Sequence, residues 1–135
     1  MSTLDNAIAV AMKSIPECVA GAYIDMTSGM LLSCKTLDTH PQEVLDMVAA
    51  VTADMFEGPS IRHIEAAFAK SRGESNERPR YFQEILVFST NLLHIFIRTK
   101  KYPEHVAVFV TTRDANVGMV LAKSRMAMDG VVAAL

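Results

Sequence analysis

Length, composition and charge indicate a single-domain globular protein. The chain has 135 residues, 50% of them hydrophobic, with 13 Lys+Arg against 15 Asp+Glu. This length fits one domain over residues 1–135, and the composition is too apolar for a disordered chain. No apolar run approaches the ~18 residues of a membrane-spanning helix, so we expect no membrane insertion. The net charge of −2 gives no electrostatic reason to expect nucleic acid as a partner.

The cysteine content suggests a reducing compartment. Cys18 and Cys34 are too few for a domain held together by disulfides, so we expect free thiols and a cytoplasmic protein. The N-terminal residues also lack the basic segment and unbroken apolar segment that are typical of a signal peptide.

Apolar periodicity predicts a first helix over residues 4–15, followed by a β-hairpin. Pro16 ends the helix, because the residue before a proline disfavours helical geometry. Two strand-like runs follow, over residues 19–25 and 30–35, and Gly29 between them can take the positive φ that a tight turn needs. The apolar helix positions, which share one face, are Leu4, Ala7, Ile8, Ala11, Met12 and Ile15.

A second helix is predicted from a capping box at residues 39–42 to the Gly-Pro pair at positions 58 and 59. One side of it is apolar, and we expect that side to face the sheet of the same chain: Val44, Val48, Val51 and Met55. The opposite side carries small and acidic residues: Asp46, Ala50, Ala53, Asp54 and Glu57. Because small residues allow close approach of another helix, we predict that this second side contacts a partner. Ala50→Arg should then separate a dimer, whereas Val48→Arg should unfold the chain.

The second half of the chain predicts an α+β fold. A short helix over residues 60–70 and a polar loop precede three strand-like runs and a last helix that starts near Asn116. The strand-like runs are residues 81–89, 92–99 and 105–112. Two strands, a helical crossover and three more strands make a five-stranded antiparallel sheet. Both alternations of the third strand are apolar, so we expect helices on both faces of the sheet.

The motifs that would indicate an enzyme are absent from the sequence. It contains no GxxxxGK[ST], GxGxxG, HExxH, GxSxG or CxxC motif, so no catalytic residue, cofactor or metal is predicted. Neither cysteine has a histidine at metal-ligand spacing, and two half-buried thiols are the simpler interpretation. His94, on an otherwise apolar strand, could line a ligand pocket, although a buried histidine with a local partner is more common. Basic residues near the polar loop lack an aromatic platform, so we expect solvated loops rather than a nucleic-acid site.

The order of elements and three short motifs resemble the roadblock/dynein light chain family. The stretch PECVAGAYID from Pro16 to Asp25, followed by Ser28-Gly29, is similar to the family's proline, small-residue strand and hairpin. Leu93–Ile97, with sequence LHIFI, fits its central strand, and Asn116-Val117-Gly118 is similar to the opening of its last helix. The resemblance covers nearly the whole chain. Residues 58–79 depart from it, because this link between crossover helix and third strand is longer than usual.

The resemblance implies a non-enzymatic homodimeric adaptor that binds a small Ras-like GTPase or serves as a scaffold protein in a multiprotein complex. In this family two copies join their third strands and crossover helices. The implied interface combines the second side of the crossover helix with the third strand: Asp46, Ala50, Ala53, Asp54 and Glu57 with Tyr81, Gln83, Ile85 and Val87. Two alternatives remain open. One is a profilin-like or PAS-like domain that senses a small molecule near His94, and the other is an enzyme with a cysteine nucleophile.

Overall fold

The computed structural model describes residues 3–38, 42–73 and 80–135. Residues 39–41 of the predicted capping box and most of the predicted polar loop lie outside this part of the chain. The elements in chain order are α1 (Thr3–Ser14), β1 (Cys18–Asp25), β2 (Met30–Thr36), α2 (Gln42–Glu57), α3 (Pro59–Ser71), β3 (Glu84–Phe88), β4 (Leu92–Arg98), β5 (His105–Thr112) and α4 (Val117–Ala133).

The five strands form one antiparallel sheet in the order β2-β1-β5-β4-β3, which confirms the predicted α+β architecture. The strands β1 and β2 form the predicted hairpin, and Gly29 in its turn has a φ of +72°. Strand β3 begins at Glu84 rather than at Tyr81. The strand starts late because the Tyr81 N–H donates to the buried Glu65 carboxylate (3.0 Å), 16 residues earlier in the chain, instead of to a neighbouring strand.

One face of the sheet packs against α1 and α4. Gly21 lets α1 come close to β1, because a Cβ atom at that position would lie 3.0 Å from Ile8 Cγ2 and from Met12 Cγ. The Asn116 side chain caps α4 by accepting a hydrogen bond from the Met119 N–H (2.9 Å), which satisfies one of the free donors of the first turn. The largest buried side chains of this core are Ile8, Tyr23, Leu93, Ile95 and Phe109.

The other face forms a second core beneath α2. Its buried residues come from the sheet and from one side of the helix: Ala22, Ile24, Met26, Ala49, Phe56, Phe96, Val106 and Val108. Helices therefore cover both faces, as predicted, and α2 packs on β1 and β2. Among the described residues, no helix is long and apolar enough to cross a bilayer.

A candidate interaction surface

Helix α2 has three sides. The prediction that Val44, Val48 and Val51 face the sheet is wrong, whereas Met55 packs against the second core as predicted. The side toward the sheet carries Ala49, Thr52 and Phe56, each with no exposed surface. Thr52 can be buried because its hydroxyl donates to the Val48 carbonyl (2.8 Å), which satisfies the polar group within the helix. The three valines that were expected to be buried are instead half-exposed.

The exposed stripe of α2 consists of large apolar side chains at helical spacing. Their exposed fractions are 42% for Val44, 65% for Met47, 43% for Val48 and 54% for Val51. Four large apolar residues on one side of a surface helix are typical of a helix whose partner is missing. We call these four residues the α2 stripe.

The predicted helix contacts separate into two groups in the structure. Asp46, Ala50 and Asp54 are exposed on the third, polar side of α2. Their contact with a partner stays a prediction. It was argued from a buried stripe on the opposite side of the helix, and Val44, Val48 and Val51 of that stripe are exposed. Ala53 is half-buried against the second core. The Glu57 side chain is 11% exposed and pairs with Arg80 and with Arg98 (3.4 Å).

Arg98 connects the residues just before β3 to the end of α2 and to the residues before β5. It is 3% exposed, and its guanidinium lies over the Phe56 ring, 5.1 Å from the centroid. Its Nε donates to the Phe82 carbonyl (2.9 Å) and its Nη1 to the Pro103 carbonyl (2.5 Å). With Glu57 also in reach, this buried cation connects the end of α2 to the β3 and β5 ends of the sheet.

The two edges of the sheet differ in their capacity to pair with another strand. The β1–β2 register shifts between Tyr23 and Ile24, which are opposite Ser33 and Leu31, so Leu32 is an extra residue in edge strand β2. Such a bulge blunts an edge against further pairing. The β3–β4 register is regular from Glu84 to Phe88, and β3 contains no proline, glycine or lysine. Among the described residues β3 pairs with β4 alone, so its other edge is open to strand addition.

The four predicted contacts on or before β3 occupy different positions. Ile85 packs against the second core, and Val87, 37% exposed, lies on the same face opposite His94. Gln83 is exposed just before the strand. Tyr81 is half-buried and contacts the Phe68 ring of α3, with ring centroids 5.2 Å apart. Ile85 and Val87 thus share the sheet face that carries α2.

Helix α3 confirms the short helix predicted over residues 60–70, but its buried residue Glu65 was not predicted. It spans 13 residues and is held to the segment before β3 by Glu65 and by two contacts of the Tyr81 ring, an edge contact with the Phe68 ring and a cation–π contact with the Arg72 guanidinium. It accounts for much of the long link between α2 and β3. Buried Glu65 could not be recognised from periodicity, because its partner, the Tyr81 backbone, lies 16 residues away.

The residues that could support chemistry are dispersed. Cys18 and Cys34 are unpaired thiols, and burial raises the pKa of each, which disfavours the reactive thiolate. Partial burial lowers the pKa of His94, whose Nε2 lies 3.2 Å from the Ser89 hydroxyl. Within residues 3–38, 42–73 and 80–135, no group of three His, Cys, Asp or Glu side chains could hold a metal ion.

Two clefts lie on the sheet side that carries α1 and α4. One, of about 650 Å³, lies between α4 and the ends of β3 and β4, and Arg98, Arg125 and Met128 are among its lining residues. The other, of about 510 Å³, is an apolar groove between α1 and α4, with Val10 and Met126 at its rim. His94 lines neither cleft, so neither corresponds to the ligand pocket that was considered for it.

Comparison with known structures defines the class of this domain. MglB of Myxococcus xanthus superposes with a TM-score of 0.70 at 14% identity, over 98% of this chain and 94% of that one. A Roadblock/LC7 domain from Streptomyces avermitilis gives 0.68 at 14% identity, over 96% and 94%. A gliding protein, MglB of Thermus thermophilus, gives 0.67 at 18%, over 97% and 87%. No protein-family model and no curated protein sequence matches the chain.

The chain therefore has a roadblock-domain fold, as the sequence resemblance predicted. At these identities the likeness shows the fold alone.

Proposed function

We propose that the chain is a non-enzymatic homodimeric adaptor that binds and regulates a small Ras-like GTPase, alone or within a multiprotein complex. The observation that carries the proposal is the α2 stripe on the same face of the sheet as the open edge β3. A two-fold dimer through these elements would extend the sheet across both subunits and cover both stripes at once.

The position of α2 supports this arrangement. It packs on β1 and β2 at one side of the sheet, whereas Val87, His94 and Val110 on the β3 side of the same face keep exposed surface. A second α2, brought in by the partner's β3, would lie over that uncovered strip. The interface that we propose keeps Ile85 and Val87 from the sequence prediction and replaces the polar side of α2 with the α2 stripe.

The GTPase part of the proposal comes from the family resemblance and from the similarity to MglB. The non-enzymatic part is consistent with two other features. Burial raises the pKa values of both cysteines, which disfavours a thiolate nucleophile, and the sequence lacks a phosphate-binding loop. For a small molecule near His94 the structure offers no comparable support, because neither cleft described above includes that residue.

Two measurements test the proposal. Light scattering should give about twice the 14.8 kDa chain mass at micromolar concentration, and a mass near that of one chain would contradict the dimer. A Ras-like GTPase from the same organism, loaded with GDP or a GTP analogue, should then bind the dimer in calorimetry with a preference for one nucleotide state. If the chain is a dimer but binds the GTPase in neither nucleotide state, GTPase regulation is refuted and a scaffold role remains. The chain alone serves as control and should not hydrolyse GTP.

A further inference from the structure

The part of β3 that can pair with another strand is closed at both ends by contacts within the chain. Before the strand, the Tyr81 N–H donates to Glu65 and the Phe82 carbonyl accepts from Arg98 Nε. After it, the strand ends in the turn to β4, which the Ser89 N–H closes by donating to the Leu92 carbonyl (2.9 Å), and the Ser89 carbonyl accepts from Arg113 Nη1 (2.7 Å). Residues 84–88 remain for a partner.

The hydrogen-bond alternation of β3 identifies the backbone groups that point outward. Gln83 and Ser89 both form backbone hydrogen bonds with their β4-side partners, Arg98 and Leu92. In an antiparallel pair such bonded positions alternate, so residues 85 and 87 also face β4. The N–H and C=O groups of Glu84, Leu86 and Phe88 therefore point away from the sheet.

Two-fold symmetry then selects one register. With Leu86 opposite its own copy, residue 84 faces 88, 86 faces 86 and 88 faces 84, so all outward groups are used. A shift of two residues leaves one outward residue of each strand unpaired. A shift of one residue sets outward groups opposite inward groups and exchanges the faces of the side chains.

The same register brings opposite charges together. Glu84 lies at one end of β3, where it holds Arg125 of α4 through two hydrogen bonds (2.8 and 2.5 Å). Arg113 lies at the other end, with its guanidinium 5.4 Å from the centre of the Phe88 ring. Because Glu84 of one copy faces Phe88 of the other, the carboxylate comes to the arginine that covers that ring.

We propose that Glu84 of each subunit forms an ion pair with Arg113 of the second copy, and that these two pairs fix the β3–β3 register with Leu86 at the two-fold axis. The inference rests on the homodimer proposed above. A carboxylate has about four acceptor positions, so Glu84 can keep Arg125 while it accepts from a second guanidinium. With a shift of two residues the charges would lie roughly 7 Å further apart along the strands, and the ion pair would be lost.

Charge exchange between two variants tests this inference. Variant one is Arg113→Glu, and variant two is Glu84→Arg with Arg125→Glu, which keeps an ion pair within the subunit. Each variant alone juxtaposes like charges at both ends of the interface, so its dimer dissociation constant should rise by at least about tenfold. In the mixture each new acid faces a new base, so a heterodimer should form with an affinity near that of the wild type.

The readout is native mass spectrometry of the mixed variants, one of which carries a mass tag, with a thermal melt of each to confirm folding. A mixture in which Lys13→Glu replaces Arg113→Glu is the control, because Lys13 lies at the end of α1, and it should give no preference for the heterodimer. If variant two fails to fold, Glu84→Gln replaces it, and the dimer of this variant should be weaker than that of the wild type. A monomeric wild type would refute the proposed dimer itself. The ion pairs and their register would be overturned if the wild type is a stable dimer, both variants dimerise as tightly as it does, and their mixture shows no preference for the heterodimer. That result would leave the proposed dimer itself intact.

Discussion

A charge placed on the α2 stripe should separate the proposed dimer without unfolding the chain. Val48 lies within this stripe and is 43% exposed, so Val48→Asp need not disturb the second core. Full burial of a valine contributes about 2 kcal/mol, and the remaining exposed fraction is thus worth about 1 kcal/mol per subunit. Two subunits lose about 2 kcal/mol, or roughly a 30-fold change in the dissociation constant, before the charge is considered.

The buried charge adds a larger cost. An unpaired carboxylate in an apolar interface costs several kcal/mol, and two-fold symmetry brings in two of them. We therefore expect Val48→Asp to be monomeric at micromolar concentration in sedimentation velocity, with a melting temperature near that of a dissociated wild type.

The matched control is Ala50→Asp, on the exposed polar side of the same helix two residues away. It should remain dimeric, because a new carboxylate there stays in solvent. The sequence alone predicts instead that a charge at position 50 separates the dimer and that a charge at position 48 unfolds the chain. A monomeric Ala50→Asp beside a dimeric Val48→Asp would refute the assignment of the interface to the stripe.

Three further predictions concern stability and reactivity. Replacing buried Glu65 with Ala leaves a backbone N–H without its acceptor, which should cost about 1–3 kcal/mol and lower the melting temperature in calorimetry, whereas exposed Glu43→Ala should have little effect. The Arg125 guanidinium lowers the pKa of Glu84 below its usual range. This carboxylate therefore stabilises the fold above its unfolded-state pKa, and the stabilisation is lost as the pH falls through its folded pKa. The difference in urea stability between wild type and Glu84→Gln should shrink at low pH, and a constant difference down to pH 2 would contradict the ion pair. The two cysteine thiols, with pKa values raised by burial, should react with a disulfide reagent at pH 7 more slowly in the folded than in the urea-unfolded protein, and equal rates would contradict their burial.

The sequence predicted the order of elements and the sheet well, because these follow from local signals. Helical and alternating periodicities, the turn at Gly29 and the cap at Asn116 each act over a few residues. The one boundary that moved substantially, the start of β3, depends on the Tyr81–Glu65 contact, which joins residues far apart in the chain.

The orientation of α2 could not be read from hydropathy for a physical reason. An apolar stripe predicts that a surface is covered, but it does not say whether the same chain or another one covers it. The side that faces the sheet includes Thr52, whose hydroxyl is satisfied by the Val48 carbonyl and so can be buried. The spacing of Ala49, Thr52 and Phe56, with one large aromatic residue, was the signal that could have identified it.

Disulfide trapping at the centre of β3 tests the proposed dimer most directly. With both native cysteines replaced by alanine, Leu86→Cys places two thiols on backbones about 5.5 Å apart in the expected register, a separation that suits a disulfide. Under mild oxidation this variant should form a covalent dimer. Phe88→Cys should not, because its two copies would lie roughly 13 Å apart along the strands. A covalent dimer at position 88 and not at 86 would contradict the register, and the absence of any cross-link at positions 84, 86 and 88 would contradict dimerisation through β3.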